Sequence, residues 1–306
     1  MDDRTRQEID KACRTTLRDA GLYGPPIRAE VLLNHLELFR HFYNLQDPGF
    51  LDKAKHKLLV SGHKLVQILK KICLQAALFI DEGRIVIDSS LPLLKQEFPA
   101  FHEMGHRILV WHRPYFYGDT AQTLDPDWQQ TLEAEANYAG STLMFCGELF
   151  TTEARDTKPE WASVKGLKTR YGKNFPTTLR RYVQFGPQCP MAMLTSTPSW
   201  MEKPDDQVTR CRHFVPSPKF TAMFGNVTPD YLLRCVDRHA ARRRGGMVAD
   251  FSLGLKDGRD ELHEFHAESF FNRIYLQTLF VHVQRMNLDG QIIVSGMTTG
   301  NGITGA

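Results

Sequence analysis

The sequence predicts an α+β protein built from more than one domain, and three observations carry that expectation. Apolar residues recur at helical spacing over several stretches, as Leu58, Leu59, Leu65, Ile68, Leu69 and Ile72 do. Two pairs of short apolar runs read as β-hairpins: "ALFIDEGRIVID" at 77–88, turning on Asp81-Glu82-Gly83, and a longer one around Lys256-Asp257-Gly258. At 306 residues the chain exceeds what one compact core usually holds.

Taken in order, residues 2–20 form an amphipathic helix, and "GLYGPP" interrupts the chain. Helical spacing continues over 27–43 and 51–75, followed by the first hairpin. The segment 89–112 is helical, with Ser89 or Ser90 as cap and Pro92 early, where proline is tolerated. Pro99 implies either a kink or a later start. Arg113-Pro114 ends this helix, and a loop covers 115–124. A new helix then starts at Asp125-Pro126. Residues 155–190 are basic and form two short helices around Gly172-Lys173-Asn174. A Pro/Ser/Thr-rich stretch at 195–218 marks a boundary. Beyond it come a helix over 229–244, the second hairpin, a helix over 271–286 and a last strand, "QIIVS". The Gly- and Thr-rich tail 296–306 is expected to be disordered.

The net charge of +3 is too small to mark the chain as a nucleic-acid or membrane binder. The charged N-terminus is no secretory signal, and no apolar run is long enough to span a bilayer. The six cysteines are scattered without a CxxC pair, which suits reduced thiols in a cytoplasmic protein with no membrane partner.

Chemistry concentrates in "FPAFHEMGHRILVWHRP", residues 98–114. On a helix, His102 and His106 lie one turn apart and can offer two imidazoles to one ion. Glu103, beside the first, can serve as a general base on a water. Composition alone gives roughly a 2% chance of one random HExxH in this chain, so the motif is read as a metal site.

A hydrolytic zinc site needs a third protein ligand and an open position. His112 is one candidate, but if the helix continues through Leu109 it is rotated about 240° from His106 and faces away. Glu133 and Glu135 are the others. Glu133, Asn137 and Gly140 share a helix face: a ligand, an amide able to hold a histidine N–H, and a gap for close helix approach. Glu135 has only Ala139 one turn on, so Glu133 is preferred. Tyr115, Tyr117, His112 and Tyr138 are all candidates for stabilising an oxyanion.

Two other groupings carry weaker signals. Lys165, Lys168, Arg170, Lys173, Arg180 and Arg181 could contact DNA phosphate from a helix-turn-helix, but a basic surface that docks a protein substrate is the preferred reading. His263 and His266 suggest a second metal site, yet on a strand they point to opposite faces.

The hairpin, the HExxH helix and "EAEANYAGSTLMF" after it resemble the ImmA/IrrE family of metallopeptidases, whose second helix reads approximately E-x-E-A-N-x-F-A-x-x-L-L-M-P. Glu133, Ala136, Asn137 and Leu143 fall on the pattern. Ala139-Gly140, Met144-Phe145 and Cys146 depart from it, which bears on packing and groove shape more than on ligands. The match runs from about 77 to 145, and "HEMGHRILVWHRP" with the overall length is similar to the longer IrrE branch.

The resemblance implies a zincin-like metallopeptidase domain at 1–152, a helix-turn-helix-like connector at 153–195, and an α/β, GAF-like sensor or interaction domain at 196–306. It further implies Zn2+, or Mn2+, held by His102, His106 and Glu133, with Glu103 as catalytic base and Asn137 behind a ligand. The implied activity is cleavage of an Xre-type helix-turn-helix repressor, which relieves repression of stress-response or mobile-element genes. The rival expectation is a catalytically silent zinc-containing regulator that binds DNA or protein; the intact Glu103 speaks against it.

Overall fold

The computed structural model describes residues 1–43, 76–79, 84–88, 93–113, 126–201 and 209–286. The expected helix at 51–75, the Asp81-Glu82-Gly83 turn, Tyr115, Tyr117, the strand "QIIVS" and the tail lie outside them. The chain divides into two compact units, Met1–Pro187 and Gln188–Ala306, and is mixed helix and sheet throughout.

The first unit opens with α1 (Asp3–Asp19). The Asp2 side chain caps it by accepting from the Thr5 N–H at 2.7 Å, and its buried stripe is Ile9, Cys13, Thr16 and Leu17. The stretch expected to be helical at 27–43 splits into α2 (Ala29–His35) and strand β1 (Phe39–Tyr43). The break falls at Glu37, whose φ of 54° takes the chain out of the helix. Strands β2 (Ala76–Phe79) and β3 (Arg84–Asp88) pair antiparallel, in the register the hairpin requires. β1 adds to β3 in parallel, giving a three-stranded sheet of order β1-β3-β2.

Helix α3 (Leu93–Ile108) carries the HExxH motif and runs through Pro99. It packs along α4 (Pro126–Met144) at very short range. A Cβ on Gly140 would stand 2.7 Å from the Phe101 carbonyl oxygen, and one on Gly105 would stand 2.7 Å from that of Ala136. Only glycine allows the two backbones to approach this closely. The unit closes with α5 (Glu148–Arg155), α6 (Trp161–Tyr171) and α7 (Phe175–Phe185). Gly172 in the left-handed region ends α6, and Asn174 caps α7 by accepting from Thr177 N–H.

Among its described residues, the second unit holds a five-stranded antiparallel sheet and two α-helices. Its elements are β4 (Met191–Ser196), β5 (Cys211–Pro216), α8 (Pro218–Phe224), α9 (Pro229–His239), β6 (Gly246–Lys256), β7 (Leu262–Phe271) and β8 (Leu276–Arg285). Spatial order is β5-β4-β8-β7-β6. Phe220, Phe224, Leu232, Val236, Phe251, Phe265 and Phe280 join the helices to the sheet in one core.

Two sequence expectations are corrected here. The stretch 271–286 holds no helix: Leu276–Arg285 form a central strand. Leu276, Leu279 and Phe280 mimic helical spacing, but β8 pairs on both sides and its first six residues are all buried. The helix expected to reach residue 244 ends at His239. There Ala240 turns extended and the Ala241 N–H donates to the Val248 carbonyl, drawing the chain to β6.

Candidate metal centre

The motif histidines and Glu133 converge. His102 Nε2 lies 3.2 Å from His106 Nε2 and 3.2 Å from Glu133 Oε2, while His106 Nε2 lies 3.5 Å from Glu133 Oε1. Bond lengths of about 2.05 Å at the tetrahedral angle would set two ligand atoms of one zinc roughly 3.3 Å apart. The three donors therefore stand at the spacing one ion requires, and the residues fit the metal.

The outer nitrogen of each ring is engaged by a second residue, so that both Nε2 atoms face Glu133. His102 Nδ1 lies 3.1 Å from Asn137 Oδ1, so Nδ1–H donates to the amide oxygen. His106 Nδ1 lies 2.8 Å from His112 Nδ1, and His112 Nε2 lies 3.0 Å from Glu135 Oε2. Trp111 Nε1–H donates to the same Glu135 oxygen at 2.7 Å. One assignment satisfies the whole chain: His106 donates to a neutral His112, which donates to the Glu135 carboxylate. Burial supports that neutral form and draws the His112 imidazole down to about 4, against the opposing pull of Glu135.

The expected rotation of His112 away from His106 is thus corrected. The helix stops at Ile108, Leu109 is extended, and a 3-10 turn at Val110–His112 folds the ring back beneath His106. Both its nitrogens are committed, so it is neither a metal ligand nor an oxyanion donor. Tyr138 is also removed from the oxyanion candidates, because its hydroxyl donates to Asp10 Oδ1 at 2.9 Å.

Glu135 has the role that the sequence reading missed. It sits on the buried face of α4 with Leu132, Ala136 and Ala139. A carboxylate on so apolar a face needs donors, and Trp111-His112 were the available pair near the end of α3. That was the legible signal.

Electrostatics match a cation site. Burial pushes the Glu133 carboxyl up, but hydrogen bonds and charge from His102 and His106 hold it well below the usual range. Burial lowers the His102 imidazole, yet Glu133, Glu103 and Asn137 more than offset this and leave it raised. Glu103 is 6% exposed and acts on His102 from the adjacent helical position. The Glu133 side chain is 45% exposed, so the centre opens to solvent on that side.

The basic surface is only partly as expected. Lys165, Lys168 and Arg180 are exposed. Arg170 holds Glu153 through two bonds of 2.5 and 2.6 Å. Arg181 is 3% exposed, beneath Phe185 and beside Ser141 and Thr142, so it belongs to the core rather than to a docking surface. Lys173 is likewise buried, pairing with Glu97 and donating to the Ile27 carbonyl.

No protein-family model matches the chain, and no curated protein matches it. A solved structure described as a Mycobacterium tuberculosis transcriptional regulator is similar over 92% of this chain and 90% of its own length, with 11% identity and a TM-score of 0.48. No helix among the described residues is long and apolar enough to cross a membrane.

Proposed function

We propose that this protein is a zinc-dependent endopeptidase of the ImmA/IrrE type, with a zincin-like domain whose substrate is a helix-turn-helix repressor. The carrying observation is the convergence of His102 Nε2, His106 Nε2 and the two Glu133 carboxylate oxygens at 3.2–3.5 Å, with the Glu103 charge acting on His102. Each histidine has a partner at Nδ1, which suits metal binding through Nε2, and the Glu133 side is open, as hydrolysis rather than a closed structural site demands.

His102, His106 and Glu133 would hold a divalent cation, whose chemistry there would be Lewis acidity toward a water and a peptide carbonyl. Glu103 accepts the proton of the attacking water and delivers it to the leaving amine. Asn137 and the His112–Glu135 pair fix the two imidazoles, so the ligand set needs no rearrangement during turnover. Exposed Lys165, Lys168 and Arg180 on α6 and α7 offer a basic surface for docking an acidic patch of the substrate. The second unit would be the GAF-like sensor or interaction domain that the resemblance implies.

The test is Glu103→Gln incubated with the repressor encoded nearby. Zinc content equal to that of the parent chain, with cleavage reduced at least about 100-fold, is the expected result. Equal cleavage by the variant, or no cleavage by the parent chain, would reject the peptidase reading.

A further inference from the structure

We propose that Asp257, Glu261 and His263 form a second divalent-cation site, confined to the second unit and separate from the peptidase centre. One ligand atom from each lies within 4.8 Å of the other two. All three sit at the β6–β7 turn.

Hydrogen bonds through Asp257 close the turn. Asp257 Oδ1 accepts from the N–H groups of Arg259 and Glu261, each at 2.9 Å, and Asp257 N–H donates to the Glu261 carbonyl at 3.0 Å. With Oδ1 committed to the turn, Oδ2 is left facing His263 Nε2 at 3.5 Å. That atom is buried and makes no hydrogen bond, and the residue is only 5% exposed.

A buried ring nitrogen without a hydrogen-bond partner is costly. The 3.5 Å separation is long for a hydrogen bond, yet close to the roughly 3.3 Å between two ligands of one ion. The other face of the ring completes the pattern. His263 Nδ1 lies 3.0 Å from His282 Nε2, so Nδ1–H can donate there and leave the Nε2 lone pair directed at Asp257. Phe224 packs edge-on against the imidazole at 5.2 Å and fixes its plane.

One imidazole and two carboxylates suit a transition-metal dication, Zn2+ or Mn2+, better than Mg2+ or Ca2+, which take oxygen ligands almost entirely. Arg285 pairs with Glu261 Oε1 at 2.7 Å on the exposed side, so its guanidinium competes with the cation for this carboxylate.

Calorimetric titration of the full chain with Zn2+ alone tests the assignment. His102→Ala, which disables the peptidase centre, is expected to retain one zinc equivalent. Adding His263→Ala abolishes that binding, and adding Glu261→Gln weakens it at least about 10-fold. Glu261 is partly exposed, so the second change keeps the assay meaningful if the first disturbs the fold. Arg285→Gln tightens binding several-fold by removing the competitor. No zinc binding in His102→Ala at about millimolar metal would mean an Asp257–His263 ion pair only, and would overturn the site. So would binding that is insensitive to both His263→Ala and Glu261→Gln.

Discussion

His106 Nδ1 lies 2.8 Å from Nδ1 of His112, a residue six positions on whose ring is fully buried. The contact exists because the HExxH helix stops at Ile108 and folds back, and it links His106 through His112 to Glu135. Breaking that link removes the partner that fixes His106 Nδ1. His112→Ala and Glu135→Gln should each weaken zinc binding about 10- to 100-fold. Competition against a chromophoric chelator measures this, and unchanged affinity in both variants contradicts the relay.

Close helix approach places Glu133 opposite the histidines. A methyl at residue 140 would meet the Phe101 carbonyl carbon at 2.8 Å and the His102 nitrogen at 2.9 Å, all backbone that cannot step aside. Gly140→Ala should therefore destabilise the first unit by about 1–3 kcal/mol and lower zinc affinity together. Thermal denaturation and the same chelator assay report the two effects.

Zinc uptake should release a proton at mildly acid pH. Glu133, held low, is already ionised there, and His112, near 4, is already neutral. Metal-free His102 is raised above its ordinary 6.5, so zinc must displace its proton as pH falls through that region. Affinity should drop accordingly. Calorimetry in buffers of different ionisation enthalpy should show proton release on zinc binding that grows as the pH is lowered from mildly alkaline to mildly acid.

Basic residues of α6 and α7 should separate into two classes. Lys173→Met removes a buried ammonium from Glu97 and the Ile27 carbonyl and should cost about 1–3 kcal/mol in stability. Lys168→Glu with Arg180→Glu, both exposed, should leave the melting temperature unchanged and raise KM for the proposed repressor substrate. A large loss of stability in the second variant would place those two residues in structural roles.

Much of the site geometry could be read before any coordinates, because helical periodicity is rigid: His102 with His106, and Glu133 with Asn137 and Gly140, fall together by spacing of three or four alone. His112 did not, since its position depends on where a helix stops, and "ILVWH" carries no glycine or proline to mark the stop. The second hairpin was legible from alternation around Lys256-Asp257-Gly258. Strand β8 was not, because a strand paired on both sides needs no alternation and Leu276, Leu279 and Phe280 imitate a helix face. Similarly, nothing local marked Arg181 and Lys173 as buried; their hydrogen-bond partners lie 39 or more positions away in the chain.

Anomalous diffraction at the zinc absorption edge, from crystals grown with the metal, tests the central claim most directly. A peak within about 2.1 Å of His102 Nε2, His106 Nε2 and a Glu133 carboxylate oxygen is the expected result. A zinc ion bound elsewhere in the first unit, or those three side chains turned apart in the metal-soaked crystal, would contradict it.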